Sequence, residues 1–194
     1  MTDREQAGEL EAYLGEDIHH RSAVAWIARL RVPFGFLVAA LVAWLTRPTV
    51  DSLVVGSSIA FAGEALRFWA AGHLNKSREV TVSGPYRWMA HPLYVGTAII
   101  GVGVAVACRS VALAAGIAAY LAATLVIAIR REEAFLRAKF GDAYASYRRN
   151  RDAAPSADAE RRFSWSRVRA NREYRAALGL VAALAGLASL VAVR

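Results

Sequence analysis

Long apolar runs alternate with short polar connections along most of this chain. Five of these runs approach or reach the length that crosses about 30 Å of hydrocarbon: 30–46, 50–71, 93–107, 111–129 and 177–193. The last two contain no charged residue, whereas the first and third are short and need flanking residues or a tilt. The pattern predicts an all-α integral membrane protein with about five transmembrane helices.

The N-terminal stretch differs from the rest of the chain. The first twenty residues are rich in Asp and Glu and have no apolar core, so they do not resemble a cleavable signal peptide. We therefore expect a cytoplasmic N-terminal arm over 1–29 and a single membrane-embedded domain over 30–194.

The distribution of Lys and Arg predicts the orientation. With five spans, the connection 72–92 and the segment 130–176 lie on the same side as the N-terminus. Of 24 Lys and Arg, only Arg47, Arg109 and Arg194 lie on the other side. Cytoplasmic loops carry the basic excess, which predicts a cytoplasmic N-terminus and an external C-terminus. The expected location is a bacterial inner (plasma) membrane.

The formal net charge of +8 does not require a nucleic-acid partner. Many of the arginines fall in 130–176, beside two spans, with Phe163 and Trp165 among them. This pattern is typical of an interfacial segment on anionic headgroups, and no RNA-binding signature accompanies it. Within this segment, 151–162 has no apolar period and is predicted to be a linker.

Metal and disulfide chemistry are not expected. Cys108 is the only cysteine, which excludes an internal disulfide and a zinc cluster of thiolates. His19, His20 and His73 lack ligand partners at metal spacing, so we interpret them as surface or interfacial residues.

The stretch "SGPYRWMAHPLYVG", residues 83–96, interrupts the apolar pattern before the third span. Its Gly-Pro pair predicts a turn, and Pro92 is suited to the first turn of a helix. His91, Tyr94 and Tyr86 are then expected at the cytoplasmic mouth of that helix. We assign Trp88 to a belt of aromatic residues at the membrane interface. We expect the His91 side chain to interact with a partner at the depth of the membrane.

A second polar stretch, "IRREEAFLRAKFGDAYASY", follows the fourth span over 129–147. Apolar residues recur in it at helical spacing, namely Leu136, Phe140, Tyr144 and Tyr147. This predicts a cytoplasmic amphipathic helix continuing the span, with a break or kink at Gly141. Adjacent Glu132 and Glu133 point about 100° apart, so we expect only one to face inward. Either both glutamate side chains are solvated, or one of them binds a cationic ligand.

Together these two stretches resemble the isoprenylcysteine carboxyl methyltransferase family, within the wider membrane methyltransferases that include phosphatidylethanolamine methyltransferases. The resemblance covers about residues 60–150. It implies transmembrane helices whose cytoplasmic ends enclose S-adenosyl-L-methionine, and a lipophilic, membrane-embedded methyl acceptor.

The resemblance also implies site residues. Glu132 matches the acid that holds the methionine end of the cofactor, and His91 and Arg131 are candidate catalytic residues. The full set implied to contact the cofactor is Arg78, Glu79, Val80, Thr81, Tyr86, His91, Pro92, Leu93, Tyr94 and Glu132.

Two positions depart from the family pattern. Ala90 stands where the family commonly has arginine, and Ala128 stands where members acting on prenylcysteine carboxylates place an arginine that meets the substrate. Arg130 and Arg131 are near but are expected to point elsewhere. The loss of a fork-shaped carboxylate partner argues against a prenylcysteine carboxylate as the acceptor. Glu64 and Arg67 either neutralise each other or reach the acceptor pocket.

The sequence therefore predicts S-adenosylmethionine-dependent methyl transfer to a lipid or lipophilic small molecule. Two alternatives stay open: an NADPH-dependent membrane reductase of the sterol-reductase type, which has a related His-Pro-x-Tyr-x-Gly element, and a non-catalytic membrane scaffold. The acceptor's identity and the oligomeric state stay undetermined at this point.

Overall fold

The computed structural model describes residues 41–76, 79–149 and 161–193, and every regular element in them is helical. Residues 41–45 are helical and precede five α-helices and one short 3-10 helix, Gly84–Arg87. The α-helices are α1 (Val50–His73), α2 (Pro92–Cys108), α3 (Val111–Arg149), α4 (Trp165–Ala170) and α5 (Tyr174–Val193). The helices α1 to α5 belong to one compact unit that begins at Leu45.

The predicted spans agree with most of these helices. The runs at 50–71, 111–129 and 177–193 fall within α1, α3 and α5, which are long and apolar enough to cross a membrane. The run at 93–107 falls within α2, whose 17 residues extend about 25 Å, short of a full crossing. The run at 30–46 lies outside the described residues except for its end. Three of the five predicted spans are therefore confirmed as candidate membrane helices.

Helices α1 and α2 are antiparallel, and their backbones approach closely. A Cβ built on Gly56 would lie 2.5 Å from the Gly103 carbonyl oxygen, and one on Gly63 would lie 2.7 Å from that of Gly96. Ala60 is fully buried between them. Small residues at four-residue spacing are the usual means of packing membrane helices this tightly.

Hydrogen bonds cap the start of α1 and the end of α2, which lie at the same end of this helix pair. Thr49 and Ser52 form a capping box at the start of α1. The carbonyl of Cys108, at the end of α2, accepts hydrogen bonds from the Thr46 hydroxyl at 2.8 Å and the Arg47 amide at 3.0 Å. These contacts hold the α1–α2 pair in one register.

Helix α3 changes direction at Gly141, where φ is 47° and ψ is −120°. A positive φ is readily adopted by glycine and strained for other residues, so the predicted break at this position is confirmed. Beyond it, the apolar stripe does not lie on open surface. Tyr144 and Tyr147 are buried against Val82, with Leu136 and Phe140 packed beside them.

Helix α4 and the residues before it dock on the last turn of α1, whose carbonyls lack partners within the helix. Arg167 Nε donates to the Gly72 carbonyl at 2.6 Å, and Asn171 Nδ2 donates to those of Ala71 and Leu74 at 3.0 and 3.1 Å. The Phe163 ring lies against Gly72, leaving no room for a Cβ there. This part of the Arg-rich segment 130–176 therefore packs against α1, and it does not only rest on a membrane surface.

The outer faces of the candidate spans are apolar and exposed. Phe61 of α1, Tyr120 of α3 and Leu178 of α5 are each at least half exposed. Exposed apolar faces on helices of this length are suited to contact with lipid.

Candidate active site

One cavity of about 550 Å³ lies where the C-terminal end of α1, the turn before α2, the start of α2 and the middle of α3 meet. Its volume falls within the range of about 300–1,000 Å³ that is typical of small-molecule sites. Residues that follow α4 complete the wall. The cavity mixes apolar, aromatic and charged side chains.

The Gly-Pro turn forms one wall of this cavity because it is fixed to the end of α1. Gly84 has a φ of +56°, and a Cβ there would lie 2.5 Å from the His73 ring. His73 Nδ1 lies 3.1 Å from the Ser83 hydroxyl, and the imidazole is buried. The expectation that His73 is a surface or interfacial residue is therefore wrong: the turn covers it.

Tyr86, in the 3-10 helix, provides a buried aromatic surface in the cavity. Its carbonyl accepts a hydrogen bond from the Tyr147 hydroxyl at 2.8 Å, which joins the turn to α3. Burial, and then the nearby Glu132 carboxylate, raise the pKa of the Tyr86 hydroxyl well above its usual range. The phenol therefore stays neutral, and it can donate a hydrogen bond or cover a flat ligand but cannot act as a base at neutral pH.

His91 is flanked by two carboxylates of α3. Its Nδ1 lies 3.8 Å from Glu132 Oε2, and its Nε2 lies 3.3 Å from Glu133 Oε1. Glu133 also pairs with Arg148 at 3.3 Å and with Arg137 at 3.5 Å. Only Glu132 of the two glutamates lines the cavity, as expected, although both carboxylates reach His91. They differ in surroundings, since Glu132 lines the cavity and Glu133 is surrounded by cationic groups.

A second charged cluster centres on Arg67 of α1. Its Nη2 donates to Glu173 Oε2 at 2.6 Å, its Nη1 donates to the Thr97 hydroxyl, and its Nε lies 3.6 Å from Glu64 Oε2. Arg67 and Glu173 line the cavity, whereas Glu64 lies behind Arg67 and outside the lining. The cluster contains two carboxylates and one guanidinium and joins α1 and α2 to the start of α5.

We expect Glu173→Gln to lower stability modestly. The glutamine oxygen can still accept from Arg67, and Glu64 stays as a second acid, so the loss should be about 1 kcal/mol. For a protein of this size that corresponds to a fall of about 2–4 °C in the unfolding midpoint in detergent. Asp142→Asn, an acid-to-amide change at an exposed position, is the matched control and should leave the midpoint unchanged. Equal midpoints for the two variants would show that the negative charge of Glu173 contributes nothing to stability.

The residues that the resemblance implies come together at this cavity. All of them within the described ranges line it, namely Glu79, Val80, Thr81, Tyr86, His91, Pro92, Leu93, Tyr94 and Glu132. Arg78 lies outside the described residues. Arg131 also lines the cavity, which corrects the expectation that it points elsewhere. Ala90 and Ala128 line it too, at the positions where relatives carry arginine.

Sequence reasoning missed part of the wall. Asn171 and Glu173 reach the cavity from a segment that we interpreted as interfacial, and Tyr144 and Tyr147 from a stripe that we interpreted as apolar packing. In the sequence, Glu173 stands out only as an acidic residue among many arginines, next to the last predicted span. Leu74, Lys76, Phe135 and Leu136 also line the cavity, and no local pattern marked them as site residues.

Comparison with known proteins identifies one family. A family model described as phospholipid methyltransferase matches residues 30–143, more than half of the chain. No curated protein and no solved structure matches the chain significantly. The match covers the turn, His91 and both glutamates, and it ends before Tyr144 and the α4–α5 segment.

Proposed function

Because this chain belongs to the phospholipid methyltransferase family, we propose that it transfers a methyl group from S-adenosyl-L-methionine to a lipophilic, membrane-embedded acceptor. The observation that carries the proposal is the assembly of the described candidate cofactor residues around one cavity. That cavity lies at one end of candidate membrane helices, where a water-soluble cofactor and a lipid can both reach it.

The side chains in the cavity fit this cofactor. Glu132 offers a carboxylate to the ammonium of its methionine part. The ring of Tyr86 can cover an adenine, and the ring of Tyr94 lies 5.7 Å from that of His91, next to Glu132. The cavity volume of about 550 Å³ is sufficient for a ligand of this size.

The protein's task in such a reaction is alignment. When bound, S-adenosylmethionine supplies a methyl group already activated by a positively charged sulfur. The chain must hold the acceptor in line with that methyl group and exclude water. We assign Glu132 to binding and His91, held between two carboxylates, to orienting the reacting groups or accepting a proton from the acceptor. Arg131 is the second candidate for a catalytic role.

The surroundings of Arg67 bear on the acceptor. Its guanidinium is committed to Glu173, Thr97 and Glu64, so it does not offer an open fork to a carboxylate. With Ala128 at the position where the resemblance implies a carboxylate-binding arginine, this supports an acceptor other than a prenylcysteine carboxylate. In this proposal the Arg67 side chain forms part of the wall of the acceptor site. Glu64, which lies outside the cavity lining, helps to hold Arg67 in place.

Membranes containing the protein, incubated with radiolabelled S-adenosylmethionine, test the proposal. We expect label in the lipid extract, and much less in membranes containing Glu132→Gln. Label confined to protein, or absent, would contradict a lipid acceptor. NADPH oxidation by the same membranes would instead favour the reductase alternative.

We also propose that the cavity faces the cytoplasm, which follows from the Lys and Arg distribution. A protease added outside spheroplasts should remove a tag placed after Arg194 and leave intact a tag placed before Met1. Permeabilised cells are the control, in which both tags should be cleaved. Equal protection of the two tags in intact spheroplasts would require an even number of spans and contradict the five-span arrangement.

A further inference from the structure

Two tyrosines one turn apart on α3, beyond the kink at Gly141, differ in how their hydroxyls are satisfied. Tyr144 and Tyr147 are 1% and 4% exposed, and both line the cavity. The Tyr147 hydroxyl donates to the Tyr86 carbonyl at 2.8 Å. The Tyr144 hydroxyl is buried without a hydrogen-bond partner among the described residues.

A buried hydroxyl without a partner is unfavourable, and folded proteins seldom leave one. The ring packs in a cluster with Val82, Leu136 and Phe140, so its hydroxyl is held in place at the cavity wall. The carboxylates of Glu132 and Glu133 act on Tyr144 electrostatically but do not bond to it. The missing partner is therefore best supplied by what fills the cavity.

We propose that Tyr144 is a ligand-binding residue whose hydroxyl forms a hydrogen bond with the adenosine part of the bound cofactor. This inference rests on the proposed function. Charged groups at His91 and Glu132 suit the charged methionine part, whereas the ring of Tyr144, which packs among Val82, Leu136 and Phe140, suits contact with a flat, neutral base. The edge of a purine and the hydroxyls of a ribose offer both donors and acceptors to a phenol.

Paired tyrosine-to-phenylalanine variants test the proposal, because the two positions lose the same atom. Without ligand, Tyr144→Phe should unfold at the wild-type temperature or slightly above it, since no internal bond is lost. Tyr147→Phe should unfold about 2–4 °C lower, since it loses the bond to the Tyr86 carbonyl. In calorimetric titration, Tyr144→Phe should bind S-adenosylhomocysteine about three- to tenfold more weakly than wild type.

Titration with free adenosine separates the two parts of the cofactor. We expect Tyr144→Phe to weaken adenosine by the same factor as S-adenosylhomocysteine, and Glu132→Gln to leave adenosine binding unchanged. If Tyr144→Phe weakens only S-adenosylhomocysteine, the assignment to adenosine is wrong.

The outcomes distinguish this inference from the proposed function. If wild type binds S-adenosylhomocysteine and Tyr144→Phe binds it equally well, the inference is overturned and the proposed function stands. Destabilisation of ligand-free Tyr144→Phe as large as that of Tyr147→Phe would also overturn it, because the hydroxyl would then have an internal partner. If wild type itself does not bind S-adenosylhomocysteine, the proposed function fails.

Discussion

Glu132→Gln should weaken S-adenosylhomocysteine binding about tenfold to thirtyfold in calorimetric titration of detergent-solubilised protein. The substitution removes the charge that pairs with the ligand's ammonium while nearly preserving shape, and a hydrogen bond between charged groups contributes about 1.5–3 kcal/mol. The upper part of that range is not expected, because the Glu132 side chain is 41% exposed and solvent partly screens it.

Glu133→Gln is the matched control for this prediction. Glu133 does not line the cavity, and its carboxylate pairs with Arg137 and Arg148 as well as His91. Its replacement should change affinity about threefold or less and should slightly lower the unfolding midpoint. Equal losses of affinity in the two variants would point to a general disturbance around His91, and wild-type affinity in both would remove Glu132 from the binding site.

Gly103→Val should disrupt the packing of α1 against α2. A Cβ at this position would lie 2.5 Å from the Ala60 amide nitrogen and 2.6 Å from the Gly56 carbonyl oxygen, and backbone atoms cannot rotate away. The two helices must separate, which should cost about 3 kcal/mol or more. We expect the unfolding midpoint in detergent to fall by roughly 10 °C, or the yield of folded protein to collapse.

Two glycines elsewhere in candidate spans provide controls with the same chemical change. A Cβ on Gly116 of α3 or Gly186 of α5 would meet nothing within 4 Å in the described part of the chain. Gly116→Val and Gly186→Val should therefore leave the midpoint within a few degrees of wild type. A similar loss in these controls would mean that any valine is harmful at a helical glycine here, and that close approach is not the reason.

Local patterns in the sequence were sufficient to predict α1, α2, α3 and α5, but not the short helix α4. The uncharged run at 111–129 could only be a buried or membrane helix, and Gly141 interrupted its amphipathic continuation at the right residue. The turn at Gly84 and Pro85 followed from the backbone preferences of those two residue types. Tyr86, His91, Tyr94 and Glu132, which line the cavity, were found because both motifs lie within a recognisable stretch of sequence.

Contacts between distant segments could not be predicted in the same way. Glu173 meets Arg67 across 106 residues, and nothing local distinguishes it from a solvated acid. His73 appeared to be a surface residue because its cover, Ser83 and Gly84, is supplied by the folded turn. The role proposed for Tyr144 depends on an unmatched hydroxyl, which periodicity cannot reveal, since a tyrosine in an apolar stripe has the same pattern either way.

The central claim is that the cavity between the turn and α3 binds S-adenosylmethionine. Calorimetric titration of the purified wild-type protein with S-adenosylhomocysteine, and separately with NADPH, tests it most directly. We predict saturable binding of S-adenosylhomocysteine at one site per chain and no heat of binding with NADPH. Binding of NADPH without S-adenosylhomocysteine, or of neither ligand by folded protein, would contradict the account.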